Sequence, residues 1–398
     1  MIEGWLRPDG RKGIRNTVLV AYLVECAHFV ASEIVAGFRG QDVQLIGFPG
    51  CFPNEYAARM MERLCTHPNV GAVLFVSLGC ESFDKVRASG AVEASGRPVR
   101  TLVIQKAGGT KSTVAAGRAW VEEALAAIQS VPRVGVAASD LVIGTVCGGS
   151  DGTSGISGNP AAGKAFDLLV TDGAACIFEE TGELIGCEEI MAARAVTPEL
   201  GQILRESVQK AERYYDTLGC GSFAAGNAAG GLSTIEEKSL GAYVKSGESP
   251  ISGLIKPGDI PPAGGLYLMD VVPDGEVRFG FPNISDNAEI VEMIASGAHL
   301  TLFVTGRGSV VGSAISPVIK ICANPDTYRA LADDMDVNAG DIIEGRRSID
   351  EVGREIRDLV LAVAAGARTK SEELGHREFI LTYKSFDPIG PACLPRIA

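Results

Sequence analysis

Over its first 150 residues this sequence repeats one pattern, a short apolar run followed by a helix-like stretch. Residues 17–24 lead into 27–38 and residues 43–48 into 55–65, while runs at 70–78 and 99–105 precede a helical pattern over 113–129. A continuous apolar run of this length suits a strand buried on both faces. Strand–helix alternation builds βαβ units, hence a parallel sheet covered by helices. The pattern therefore predicts a doubly wound, mostly parallel α/β domain over residues 1–145. A second α/β domain over 146–398 is expected from runs at 175–178, 266–271, 300–305 and 318–322, with helical patterns at 197–217 and 349–364. Residues 219–231 and 246–265 read as loops.

In open parallel sheets, ligands bind beyond the carboxyl ends of the strands, where loops converge. The unusual residues of this chain stand there. Gly50-Cys51 follows one apolar run, Gly79-Cys80-Glu81 the next, Gly108-Gly109-Thr110 another, and Cys147-Gly148-Gly149-Ser150-Asp151 the run at 140–146. The segment 147–160 gathers hydroxyl, acid and amide side chains among glycines just ahead of a helix. Backbone N–H groups in such a loop can surround a carboxylate, which makes Ser150, Asp151, Ser154 and Asn159 candidate binding residues.

Five carboxylates, Glu179, Glu180, Glu183, Glu188 and Glu189, lie within eleven residues after an apolar run. Hard oxygen donors gathered this way suit Mg²⁺, Mn²⁺ or Fe²⁺. For Glu179 and Glu189 the simpler reading is acids complementing a helix dipole. Gly306-Arg307-Gly308-Ser309 forms another anion loop, with Arg307 and Ser309 as substrate-binding candidates. Lys320 falls inside a strand, where a lysine is costly unless paired or lining a cavity. It is either a base or carboxylate clamp, or an edge lysine that blocks aggregation. The basic lead at residues 4–16 offers Arg15 as a carboxylate clamp through its bidentate fork, or else is a solvated arm with a turn at Asp9-Gly10.

Other classes are argued against. A net charge of −13 without a basic face argues against nucleic acid, and no apolar run is long enough to span a bilayer. The N-terminus lacks the apolar core of a signal peptide, so a cytoplasmic protein is expected. Ten cysteines without a CxxC pair read as reduced core residues. His28, His67, His299 and His376 fall in no zinc-binding spacing, and no nucleophile elbow, P-loop or dinucleotide fingerprint follows a strand.

Taken together, Arg7-Pro-Asp-Gly-Arg-Lys-Gly-Ile-Arg-Asn16, Gly79-Cys-Glu81, Gly108-Gly-Thr110, Cys147-Gly-Gly-Ser-Asp-Gly152, Glu180-Thr-Gly-Glu183, Gly226-Asn227, Glu236-Glu-Lys-Ser-Leu-Gly241, Thr305-Gly-Arg-Gly-Ser309 and Asp334-Met-Asp-Val-Asn-Ala-Gly340 resemble the large part of the altronate and galactarate dehydratase family. The resemblance implies dehydration of an aldonic or aldaric acid to a 2-keto-3-deoxy acid, with a divalent metal such as iron or manganese. It also implies that the family's small β-rich domain arrives as a separate subunit. Where the family commonly reads Gly-Ala-Glu-His, this chain has Gly186-Cys187-Glu188-Glu189, so no histidine stands there.

The expected site is a cleft between the two domains, built from the loop at Cys147, the acids at 180–188 and the loop at Arg307. Lys320, Asp151 and Glu183 are the expected catalytic groups, and Arg15, Ser150, Ser154, Asn159, Arg307 and Ser309 the expected substrate-binding groups. The expected metal ligands are Cys80, Glu81, Cys147 and Glu180, with Asp151 and Glu183 as further acids. An iron–sulfur cluster on Cys51, Cys80 and Cys147 is the alternative cofactor. A homo-oligomer acting on a small hydroxy acid is expected. The alternatives are a sulfolactate sulfo-lyase large subunit, which eliminates sulfite, and a non-catalytic carboxylate-binding subunit.

Overall fold

The computed structural model describes residues 2–219, 221–275, 285–381 and 383–384. The chain is α/β and divides into two compact units, one built on residues 3–135 and the other on residues 136–277 and 285–378.

The first unit holds a parallel sheet of four strands: β1 (Thr17–Tyr22), β2 (Val43–Gly47), β3 (Val70–Ser77) and β4 (Val99–Val103), in spatial order β2-β1-β3-β4. All eight residues of β3 are buried, as expected of a strand read as one apolar run. The core beside it joins Val18, Val20, Leu74 and Val76 of the sheet to Ile34, Val121 and Ile128 of the helices His28–Ala36 and Thr110–Gln129. Truncating one such buried leucine or isoleucine to alanine costs about 2–5 kcal/mol. A helix at Lys85–Ala94 was not expected from apolar spacing; its start is marked by Asp84, whose side chain accepts from the N–H groups of Val86 and Arg87.

The basic N-terminal lead is not a solvated arm. It forms an antiparallel pair, Ile2–Leu6 with Lys12–Gly13. Arg7 is buried and donates to the Pro68 and Arg15 carbonyls and to Asn16 Oδ1. Burial, with Arg97 nearby, pushes the Arg7 guanidinium down to about 9. Asp9 ion-pairs with Arg11 and Arg97, which hold its carboxyl down at about 2 against the opposing cost of burial.

The second unit is organised on a sheet of seven parallel strands: β5 (Val142–Cys147), β6 (Ala175–Phe178), β7 (Ile251–Ile255), β8 (Gly265–Met269), β9 (Leu300–Thr305), β10 (Val318–Cys322) and β11 (Val337–Asn338). Their order is β7-β8-β6-β5-β9-β10-β11. β5 therefore belongs here, although the sequence reading placed its run at the end of a first domain over 1–145. β7 lies in residues read as loop. Ser252 and Gly253 interrupt its apolar pattern and its middle is only half-buried, as suits an edge strand.

The order reverses at β5, with β6 on one side and β9 on the other. In open parallel sheets a ligand binds beyond the carboxyl ends at such a reversal. The loops at Cys147, Glu179 and Arg307 leave β5, β6 and β9 there. All three loops expected to line the cleft are thus carried by this one sheet.

Candidate functional site

The loop after β5 is held by its own polar groups. Asp151 Oδ1 accepts from the N–H groups of Thr153 (2.8 Å) and Ser154 (3.2 Å) and from the Thr153 hydroxyl (2.5 Å), while Asn324 Nδ2 reaches Oδ2 at 3.3 Å. A Cβ on Gly306 would collide with the Asp151 carboxylate, so the loop after β9 passes close only because it carries glycine there. The chain then winds through Ser154–Gly158 into the helix Asn159–Thr171, whose second residue is Pro160. Asn159 Nδ2 donates to the Gly241 carbonyl at 2.7 Å, and Asn227 Nδ2 to the Ser150 carbonyl at 3.1 Å.

A cavity of about 270 Å³ is lined by Ser150, Asp151, Ser154 and Asn159 together with Glu237 and Lys238. Lys238 comes from the helix Ile235–Tyr243, which Thr234 caps by accepting from Glu237 N–H. It is buried, forms an ion pair with Glu183 Oε1, and donates to the Ser222 carbonyl at 2.5 Å. Burial raises the Glu183 carboxyl above its ordinary range, although Lys238 opposes the shift. Four of the expected groups, Ser150, Asp151, Ser154 and Asn159, therefore meet in one cavity, and Glu183 joins them through a lysine that sequence reasoning did not select. Lys238 was legible only as part of the segment at 236–241.

Behind the loop lies a buried charged group. Glu180 has φ of 76°, the one positive value at a non-glycine among the described residues. Such a conformation costs on the order of 1–3 kcal/mol and persists when its surroundings over-determine it. Here Lys245 pairs with Glu180 Oε2, and Cys147 N–H donates to the same oxygen at 3.2 Å. Lys245 is fully buried, and desolvation lowers its ammonium against the pull of Cys147, Glu179, Glu289 and Asp286. Cys147 Sγ lies 2.9 Å from Ser150 Oγ, which connects this group to the cavity wall; burial raises its thiol.

Glu179, read from sequence as a dipole-complementing acid, is instead fully buried. Desolvation, then Glu289, push its carboxyl far above the usual range. One ligand atom each from Glu179, Glu180 and Glu289 lie within 4.8 Å of one another. Of the expected ligands Cys80, Glu81, Cys147 and Glu180, only Glu180 belongs to this set. Its donors are all hard oxygen, so they fit Mg²⁺, Mn²⁺, Ca²⁺ or Fe²⁺ better than a sulfur-preferring site.

The other expected residues sit elsewhere. Arg307 is exposed and donates to the Gly226 carbonyl at 2.5 Å, and Ser309 Oγ accepts from Val311 N–H in a local turn. Lys320 is fully buried in β10, 3.3 Å from His376 Nδ1, and is not among the residues lining the cavity. In the first unit, Arg15 Nη1 donates to the Ile14 carbonyl, Cys80 and Cys51 are exposed free thiols, and Glu81 is satisfied by Ser77, Gly79 N–H and Lys85. Cys147, the third thiol expected for an iron–sulfur cluster, is buried in the second unit.

Comparison with known proteins adds a separate line of argument. The family described as D-galactarate/altronate dehydratase, C-terminal, matches residues 138–386, and that described as D-galactarate dehydratase/altronate hydrolase, second domain, matches residues 4–129. The chain is 31% identical over 393 residues to the (2R)-sulfolactate sulfo-lyase subunit beta of Chromohalobacter salexigens, covering 95% of this chain and 96% of that one. It is 29% identical to an altronate dehydratase of Bacillus subtilis, covering 95% and 77%. It is 33% identical to the galactarate dehydratase (L-threo-forming) of Escherichia coli, covering 80% of this chain and 61% of that one.

Proposed function

The chain belongs to the D-galactarate/altronate dehydratase family, and from that premise we propose that it is a lyase dehydrating a sugar acid, an aldonate or aldarate, to the 2-keto-3-deoxy acid. The observation that carries this reading is the buried Lys238–Glu183 pair, whose lysine faces a cavity lined by Ser150, Asp151, Ser154 and Asn159. Hydroxyl and amide groups there suit a polyhydroxylated acid, and a lysine paired with a buried carboxyl can exchange its proton.

The proton next to a carboxylate is weakly acidic, so a positioned base is required to remove it. Burial raises the Glu183 carboxyl, which favours the proton of the pair resting on Glu183. Lys238 takes the α-proton and then delivers it to the departing β-oxygen as the C–O bond breaks. Water and an enol result, and the enol tautomerises to the 2-keto acid with the proton count closed. Asp151 and the hydroxyls of Ser150 and Ser154 orient the substrate. Lys238 thus takes the role first assigned to Lys320, because it is the lysine on the cavity wall. A divalent metal, implied by the resemblance, would supply positive charge beside Glu180 when bound.

A second reading is elimination of sulfite from sulfolactate, favoured by the end-to-end match to the sulfo-lyase subunit beta. The same match supports expecting a partner subunit. The test is turnover, under anaerobic conditions with added Mn²⁺ or Fe²⁺, of a panel of aldonates, aldarates and sulfolactate, reading both 2-keto acid and sulfite. A 2-keto-3-deoxy product without sulfite supports dehydration. Sulfite with pyruvate overturns it in favour of the second reading, and silence even with a candidate small subunit would count against both.

A further inference from the structure

Asn159 stands in the cavity wall with its polarity only half used. It is buried, and it lines the same cavity as Lys238. Its Nδ2 donates to the Gly241 carbonyl at 2.7 Å, and Gly241 stands three residues beyond Lys238 on the helix Ile235–Tyr243, hence on the neighbouring turn of the same side. The Asn159 side chain is also one of the groups that oppose the burial-driven rise of the Cys147 thiol, which requires an amide N–H directed at the sulfur. Both bonds orient the amide the same way round, since its oxygen turned toward Gly241 would face another acceptor. Oδ1 is thereby fixed, and it is enclosed with no hydrogen-bond partner among the described residues.

Buried polar atoms are almost always satisfied, so an acceptor that has lost water without gaining a protein donor is matched to a donor on a bound molecule. We infer that Asn159 Oδ1 accepts a hydrogen bond from the α-hydroxyl of the bound acid, which makes Asn159 the residue that selects 2-hydroxy acids over acids lacking that group. The inference rests on the proposed cavity and on the place of Lys238 in it, but on no particular leaving group. Aldonates, aldarates and sulfolactate all carry a hydroxyl on the carbon whose proton must be removed, so the α-hydroxyl is the donor common to both readings. It is also the group that changes in both. As the enol becomes the 2-keto acid its oxygen loses the hydrogen, and Asn159 Oδ1 is unsatisfied again. Asn159 therefore holds the substrate more tightly than the product and favours product release.

Binding is read without turnover in the Lys238→Met protein, by calorimetry with Mn²⁺ present, using altronate and (2R)-sulfolactate against the 2-deoxy analogue of each. The acid that fits the cavity should bind about 5- to 100-fold more tightly than its 2-deoxy analogue, the range for leaving a buried acceptor unpaired. Asn159→Leu in the same background should bring that ratio close to one, and Asn159→Asp, which keeps an acceptor oxygen, should retain most of it. Should Asn159→Leu not fold, Asn159→Ala removes the acceptor with less bulk. Equal affinity for an acid and its 2-deoxy analogue overturns the inference, as does a preference that survives removal of the Asn159 oxygen. Binding of none of the four overturns it together with the proposed cavity. Conversion of either acid by Lys238→Met would sink the proton transfer assigned to that lysine, while the affinity ratio, read then from competitive inhibition by the 2-deoxy analogue, would still judge Asn159.

Discussion

The carboxyl ends of the two parallel sheets carry similar residue types but treat them differently. Beyond the seven-stranded sheet, Glu179, Glu180, Glu183, Lys238 and Lys245 are all buried, and Glu183 and Glu180 are paired with lysines far along the chain, Lys238 and Lys245. Beyond the four-stranded sheet, Cys51 and Cys80 are exposed, and Glu81 finds its partners within four residues of itself, at Ser77, Gly79 and Lys85. Glu81 is accordingly held below the usual carboxylate range by those bonds despite its burial, whereas burial lifts Glu183 and Glu179. Groups whose environment pushes them away from their ordinary ionisation are where proton chemistry is arranged, and this contrast assigns the chemistry to the seven-stranded sheet.

The sharpest way to break the comparison is activity. Lys238→Met should lower kcat by about 10²–10⁴-fold, the range for loss of a positioned proton-transfer group. Circular dichroism would show whether the fold is kept. Glu81→Gln in the other unit should leave kcat unchanged. If Glu81→Gln were the inactive variant and Lys238→Met the active one, the assignment would be reversed.

Next in size is stability. Lys245→Met leaves Glu180 buried without its partner, and breaking a buried pair from one side costs about 3–5 kcal/mol. Urea unfolding, read as a change in midpoint at constant slope, measures it. A cost below about 1 kcal/mol would mean that Glu180 is protonated or otherwise compensated in the wild type.

A pH series separates the two units by sign. The folded Asp9 carboxyl, at about 2 against an ordinary 3.8, binds fewer protons than the unfolded chain between those values. Its contribution is fully present above pH 3.8 and is lost as pH falls towards 2, amounting to on the order of 1–2 kcal/mol. Glu183 is raised from 4.5, so the folded state binds more protons above that value and its contribution is lost as pH rises through its folded value. Asp9→Asn should therefore lose stability relative to wild type at neutral pH and match it in acid. Glu183→Gln should gain relative to wild type as pH rises. Equal slopes in the two variants would remove the distinction.

The fold was legible where apolar runs were unbroken. β3, β9 and β10 are buried along their whole length and read as such from sequence. β7 was missed because an edge strand has only one neighbour to bury against and tolerates Ser252 and Gly253. In the site, the loop at 147–160 was legible because clustered glycines, hydroxyls and an acid are a local property. Glu179 reads from sequence as an acid complementing a helix dipole, and Lys245 and Glu289 do not stand out, because their burial arises from packing between segments more than sixty residues apart, which no local pattern records. Lys320 was singled out correctly as a lysine inside a strand, but its partner His376 comes from beyond the helix Lys370–Leu374, a contact the strand pattern does not encode.

The smallest effect bears on Lys85, which pairs with Glu81 at 3.3 Å while remaining partly exposed. Exposed pairs of this kind contribute about 0.2–1 kcal/mol, and Glu81 keeps Ser77 and Gly79 N–H when the lysine is removed. Lys85→Met should therefore shift the unfolding midpoint by less than about 1 kcal/mol, and by less again in high salt, since screening weakens an exposed pair. A loss comparable to that of Lys245→Met, persisting in salt, would show that Glu81 relies on a distant charge as Glu180 does, and the difference between the two sheet edges would then be one of exposure alone.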